Sequence, residues 1–393
     1  MGNNIFKYLV YVFCGKKGIT LSLSMPQAPP LGPYVAPDVF ASIKNVVESE
    51  FIVQESYVDF GVPTFIILPC PTKEPFKRLV DKLKPVGYVP LLRKEAERLV
   101  IRVFPKSPTK PSKIWVNLLL FLGTFGTVFY AGYLQSTDII FLKYLMPDAD
   151  VIMQAFLFTA SLLAIVGLHE LGHKIACELD GIEASMPYFI PGFPPYGTFG
   201  AVIFQKGPPI NRDQLFDLGI SGPVVGFIVT LTVMVIGIQM SFFVPESQLA
   251  LWLKIYPNIQ VIPAPLVYNL LWNFIRPIPE GFIPYLHPVG WAAWIGALVT
   301  FLNLMPVWQL DGGHIARATL GPRGHRIASM VGIACLILAG WWWLGIFLLF
   351  LSWRTYHPGP LDDVSQITKS RRVCTLLVIG IIILCAVVWS PLS

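Results

Sequence analysis

The chain of 393 residues is 54% hydrophobic and 13% charged, with a formal net charge of +6. That charged share is about half the usual value for soluble domains and excludes an ordinary water-soluble globule. Its six cysteines, at 14, 70, 177, 335, 374 and 385, form no Cys-x-x-Cys pair and imply no disulfide framework.

In chain order, Ile5 to Cys14 is apolar apart from Lys7. It is too short to span a bilayer and lacks a cleavage site, so it does not read as a signal peptide. Met25 is an alternative start, and residues 26–37 are rich in proline, so residues 1–37 read as an N-terminal segment and linker. Residues 38–105 read as a small soluble α+β domain. Asp38–Ser49 suits a helix capped by Asp38. Phe51–Val58 and Val62–Leu68 read as strands around Asp59-Phe60-Gly61. A second helix follows over Lys73–Lys84, with Phe76, Leu79, Val80 and Leu83 at helical spacing, then strands Tyr88–Leu92 and Leu99–Phe104.

Residues 73–113 hold twelve Lys or Arg against four Asp or Glu, and the rest of the chain is slightly acidic. Such a patch fits nucleic acid in principle, but it abuts the first apolar span, where the positive-inside rule accounts for it. The expectation is therefore a cytoplasmic N-terminal domain and no nucleic-acid partner. Ile114–Leu134, Leu218–Met240, Pro288–Trp308 and Ile327–Trp353 contain no charged residue, and each is long enough to cross a hydrocarbon core. Val151–Leu168 and the shorter Val373–Ser390 complete about six transmembrane helices. The fold class expected is thus an all-α polytopic membrane core over residues 110–393, plus the small α+β domain.

Counting crossings from the basic patch puts loop 135–150, with three Asp and one Lys, outside, and His169–Lys174 near the cytoplasmic face. Residues 241–288 form a proline-rich outer segment. Arg317, Arg323 and Arg326 suit the inside. Ile327–Trp353 reads as one long span or as a helix broken near Gly340. Loop 354–372 carries four basic residues, yet would lie outside after a single crossing. Between the second and third spans, Tyr196–Phe204 has the β-branched and aromatic residues of a strand. Backbone within a bilayer must find partners, so a membrane-embedded strand or hairpin is expected there.

The chemistry lies in His169-Glu170-Leu171-Gly172-His173. Residues four apart share a helix face, so both imidazoles can hold one metal ion, and Glu170 lies beside that face where it can take a proton from water. Two His and a Glu next to eighteen apolar residues are costly in a membrane unless they bind something. A catalytic zinc needs a third protein ligand and an open position. The best candidate is Asp311, in Asn303-Leu-Met-Pro306-Val-Trp-Gln-Leu310-Asp311-Gly312-Gly313, on the same side of the membrane. Cys177, one turn beyond His173, suits core packing better than ligation. His314 suits a solvated turn better than support of the site. Asp217 suits the interface, and Gly222-x-x-x-Gly226 suits close helix packing.

The His-Glu-x-x-His and Asn-x-x-Pro-x-x-x-Leu-Asp-Gly motifs together resemble the site-2 protease family of intramembrane metalloproteases, over roughly residues 110–320. Gly197-Thr-Phe-Gly200-Ala and Ser221-Gly222-Pro223 are similar to the family's intervening elements. No PDZ or CBS module is recognisable. The resemblance implies one Zn2+ per chain on His169, His173 and Asp311, with Glu170 as catalytic acid/base and Asn303 orienting substrate or stabilising the oxyanion. It also implies a membrane-anchored protein substrate in the lipid bilayer, cut by regulated intramembrane proteolysis. A membrane metal transporter explains Glu170 less well and predicts polar residues in the other spans. An inactive helix-binding homologue is at odds with the intact motifs.

Overall fold

The computed structural model describes residues 36–106, 113–256 and 261–387. The expectations about the start and the proline-rich linker fall on residues 1–35, outside the described residues. Two compact units are present, one containing residues 36–106 with 353–358, the other 113–352 with 359–387.

In the first unit, helix α1 (Pro37–Glu48) begins on a proline whose fixed φ suits the first helical position. Asp38 therefore falls inside the first turn rather than at the cap, where its charge complements the helix dipole. Strands β1 (Val53–Asp59) and β2 (Val62–Ile67) are joined by Phe60 and Gly61, both at positive φ, the turn whose twist matches a two-residue hairpin. Helix α2 (Lys73–Leu83) buries Phe76, Leu79 and Leu83. Strands β3 (Tyr88–Glu95) and β4 (Arg98–Pro105) form a second hairpin through Ala96 and Glu97, again both at positive φ. The antiparallel order is β1-β2-β4-β3. Glu50 accepts from Arg78 (2.8 Å) and pairs with Lys82 (2.5 Å), joining the loop after α1 to α2.

The second unit is mostly helical. Among the described residues, three helices are long and apolar enough to cross a membrane: α3 (Ile114–Ser136), α4 (Val151–Leu179) and α5 (Arg212–Met240). Asp150 caps α4 by accepting from the amides of Ile152 and Met153, and Asn211 caps α5 through Asp213 and Gln214. Between α4 and α5, β5 (Tyr188–Pro191) pairs antiparallel with β6 (Thr198–Val202); β6 lies in the Tyr196–Phe204 stretch expected as a strand, whereas β5 precedes it. Asn117 of α3 anchors the approach to β5 by donating to the carbonyls of Met186 (2.9 Å) and Pro187 (3.0 Å). After α5 come β7 (Phe242–Pro245), α6 (Glu246–Ile255), α7 (Leu266–Ile275) and β8 (Phe282–Tyr285), with β7 pairing β8.

The remaining apolar runs are shorter as helices than as sequence, because proline and glycine cut them. Helix α8 (Pro288–Leu304) stops before Pro306. It is buried among α4 and α5, with Ala292, Ala293, Trp294 and Ala297 almost inaccessible. Helix α9 (Asp311–Leu338) bends at Gly321-Pro322, where Gly321 has φ 72° and ψ −173°. The run Ile327–Trp353 is not one span. It turns at Gly340 (φ 91°) and continues as α10 (Trp342–Arg354), with Gly345 packed on Ile337 of α9. Beyond it, the amides of Leu361 and Asp362 donate to the carbonyls of Pro209 and Ile210 just before α5. Asp363 meets Arg317 (2.6 Å) and Arg212 (3.3 Å). Helix α11 (Lys369–Cys385) then starts with Arg371 on Asp217 (2.5 Å) and Asp213 (3.1 Å). Residues 359–371 thus lie at the same end of this unit as Arg317.

Candidate metal centre

Helix α4 supplies His169, Glu170 and His173 in its last third, all three buried. The fourth member comes from a turn. The chain leaves α8 at Leu304, passes Pro306 and Trp308, and enters α9 at Asp311. A Cβ at Gly312 would collide with the Leu304 carbonyl, and one at Gly313 with that of Trp308. Only glycine lets the first turn of α9 sit on the preceding loop, and this seating delivers Asp311 to the histidines.

The Nε2 atoms of His169 and His173 lie 3.2 Å apart. Asp311 Oδ2 is 3.2 Å from the first and Oδ1 is 3.3 Å from the second. Around a tetrahedral zinc with bonds of about 2.0–2.1 Å, donor atoms stand about 3.3 Å apart. All three edges meet that spacing. His173 Nδ1 lies 2.8 Å from the Leu218 carbonyl of α5, to which it donates. That bond assigns the proton to Nδ1 and leaves the Nε2 lone pair facing the other donors, the usual support for a ligating imidazole. The donor set therefore fits Zn2+. Among the described residues, this trio is the group gathered closely enough to hold a metal ion. Asn303 Nδ2 lies 3.5 Å from His169 Nε2, at the edge of the trio. The backbone amide of Ile203, just after β6, lies near the Glu170 carboxylate.

The sequence pattern described as peptidase family M50 matches residues 157–339, a stretch that contains all five of these side chains. That stretch, somewhat under half of the chain, is thus similar to the family of the site-2 proteases. Among curated relatives of this chain, "Probable zinc metalloprotease EGY2, chloroplastic" of Oryza sativa subsp. indica is 28% identical over 70% of this chain and 50% of its own length. "Probable zinc metalloprotease EGY1, chloroplastic" of Arabidopsis thaliana is 27% identical over 77% of this chain and 57% of its own. "Probable zinc metallopeptidase EGY3, chloroplastic" of the same plant is 24% identical over 67% and 47%. The chain spans about half the length of the curated relatives it matches. No solved structure matches it significantly.

Other residues around the M50 motifs depart from the sequence expectation. Gly222-x-x-x-Gly226 does serve close packing, but against the two motif histidines themselves. A Cβ at Gly222 would strike His173 Nε2, and one at Gly226 would lie 2.9 Å from His169 Nδ1. Gly219, on the same face of α5, takes the Asp311 carbonyl and His314. His314 is not a solvated turn residue: it is half-buried in the first turn of α9, against that glycine. Asp217 is the ion-pair partner of Arg371. Cys177 packs with Ile182 and Leu218, as a buried thiol does. Leu218's carbonyl left no signal in the sequence, because it contributes through its backbone.

Proposed function

We propose that this chain is an intramembrane zinc endopeptidase that hydrolyses peptide bonds within or near transmembrane segments of membrane-anchored proteins. The observation that carries the reading is the His169, His173 and Asp311 trio at tetrahedral spacing, with buried Glu170 on the same helix. Zinc held there would act as a Lewis acid on the scissile carbonyl and lower the pKa of water. The three ligands leave the fourth position open for reactants. Glu170 takes the proton from the attacking water and passes it to the leaving amine. Asn303, beside His169, offers an amide N–H to the substrate carbonyl or the developing oxyanion.

The β5–β6 pair supports an extended substrate. It is two-stranded, so β6 has a second edge free to pair with an unwound segment of the substrate. Because Ile203, just after that strand, lies near Glu170, a chain added along β6 leads toward the carboxylate. The basic stretch 73–113 supports a domain over residues 38–105 that is cytoplasmic, beside a protease domain over 110–393. A metal transporter is less well supported, since among the described residues the trio is the one gathered metal-binding group.

The test is Glu170→Gln in purified protein, with cleavage of a single-pass substrate measured beside metal content. The variant should retain about one zinc and lose cleavage by about a hundredfold or more. Cleavage near the wild-type rate would rule out this mechanism.

A further inference from the structure

Resting on the zinc site proposed above, we infer that His325 and Ser329, on the second arm of α9, are positioning residues that clamp the 306–308 turn and so aim Asp311. The two arms are set by the break at Gly321-Pro322, which lets the second arm run back beside the turn that precedes the first. Three contacts join them. Ser329 Oγ donates to the Pro306 carbonyl at 3.1 Å and accepts from the Trp308 amide at 3.3 Å. His325 Nε2 lies 2.9 Å from the Trp308 carbonyl and donates to it. Both side chains are buried. Gly332, on the same face one turn further, has Val307 so close that a Cβ would lie 2.7 Å from it. Residues 325, 329 and 332 thus form a stripe at helical spacing that grips the turn.

The turn needs the grip. Trp308 has φ 49°, a left-handed conformation that a bulky residue holds only when its surroundings impose it. Its amide and carbonyl are the groups clamped, and its carbonyl is the one on which Gly313 is seated. Asp311 is three residues beyond. If Trp308 relaxes to an ordinary conformation, the first turn of α9 moves and the carboxylate leaves its place 3.2–3.3 Å from both imidazoles. Neither His325 nor Ser329 is one of the three gathered ligands. Both act on the metal through backbone.

The experiment uses full-length protein in detergent, with cobalt(II) replacing zinc, so that visible absorption reports ligand geometry independently of cleavage. Ser329→Ala and His325→Ala should shift the cobalt spectrum and speed zinc loss to a chelator about tenfold or more, as other supports of metal ligands do. Ser329→Thr keeps the hydroxyl and His325→Gln keeps an N–H donor of similar reach, so both should recover most of the loss. Thermal unfolding, read on the same samples, separates aim from folding. If the alanine variants keep the wild-type spectrum and zinc release rate, or if the conservative variants behave as the alanines do, the inference is wrong. Asp311→Ala serves as the control on the site itself. Metal binding unchanged in Asp311→Ala would overturn the site reading, whereas its loss there with unchanged clamp variants would overturn only the clamp.

Discussion

A histidine that binds zinc in a packed helical core needs room on every side, and that room is written at single positions of α5. Gly222 faces the His173 Nε2 atom and Gly226 faces the His169 ring. A methyl group at 222 would occupy the space of the donor atom, whereas one at 226 meets Nδ1 at 2.9 Å, on the far side of the ring from the other ligands. Gly222→Ala should therefore abolish zinc binding, and Gly226→Ala should weaken it while leaving a measurable site. Metal content and release rates of the two variants, compared at equal helicity, check the order. An equal loss in both would mean that the glycines serve the helix contact and not the rings. His169→Ala or His173→Ala should lose zinc outright, since two remaining protein ligands rarely hold it.

At the scale of elements, the β5–β6 pair carries the proposed handling of substrate. Neighbouring amides on a strand point to opposite sides, so of Ala201 and Val202 one donates toward β5 and the other toward the free edge. Proline removes either donor. In one of Ala201→Pro and Val202→Pro the hairpin should survive, zinc should remain bound, and kcat/KM should fall about tenfold. A two-variant assay of cleavage and metal content decides this. Wild-type cleavage in both would exclude pairing along that edge. Phe199, half exposed on β6, offers an apolar side chain to the same surface.

For the whole molecule, the basic stretch 73–113 and the arginines 317, 323 and 326 share a sign, and the reading that puts both inside fixes the orientation of every helix. A single cysteine at position 94, with all six native cysteines replaced, should be labelled by an impermeant reagent only from the cytoplasmic side. Labelling from outside alone would invert the topology. The C-terminal basic residues join the same scheme through structure. Arg371 pairs with Asp213 and Asp217, and Asp363 with Arg317 and Arg212, so residues 359–371 are bound to the α5 start that abuts the site. These pairs are partly buried, where losing one partner strands the other.

The sequence by itself determined the membrane class, the His169–His173 pair and the Asp311 turn. Apolar runs, a four-residue helical spacing and a proline followed by Asp-Gly-Gly are all local patterns, and each has a local physical cause. The start of α1 at Pro37 and the ends of the apolar helices shifted by a few residues because capping and proline rules compete at each boundary. What only the tertiary structure decided depends on atoms far apart in the chain. The sequence left one long span and a helix broken near Gly340 as alternatives, since a glycine in an apolar run is ordinary, and the structure takes the second. The role of Gly222 required knowing that α5 crosses α4 at His173. Leu218's carbonyl, the Ile203 amide and the Pro306 and Trp308 carbonyls act as backbone, which every residue possesses, so no residue type marks them. Spacing along one helix reveals which side chains can share a face, but which backbone groups and glycines surround that face is settled by packing between helices.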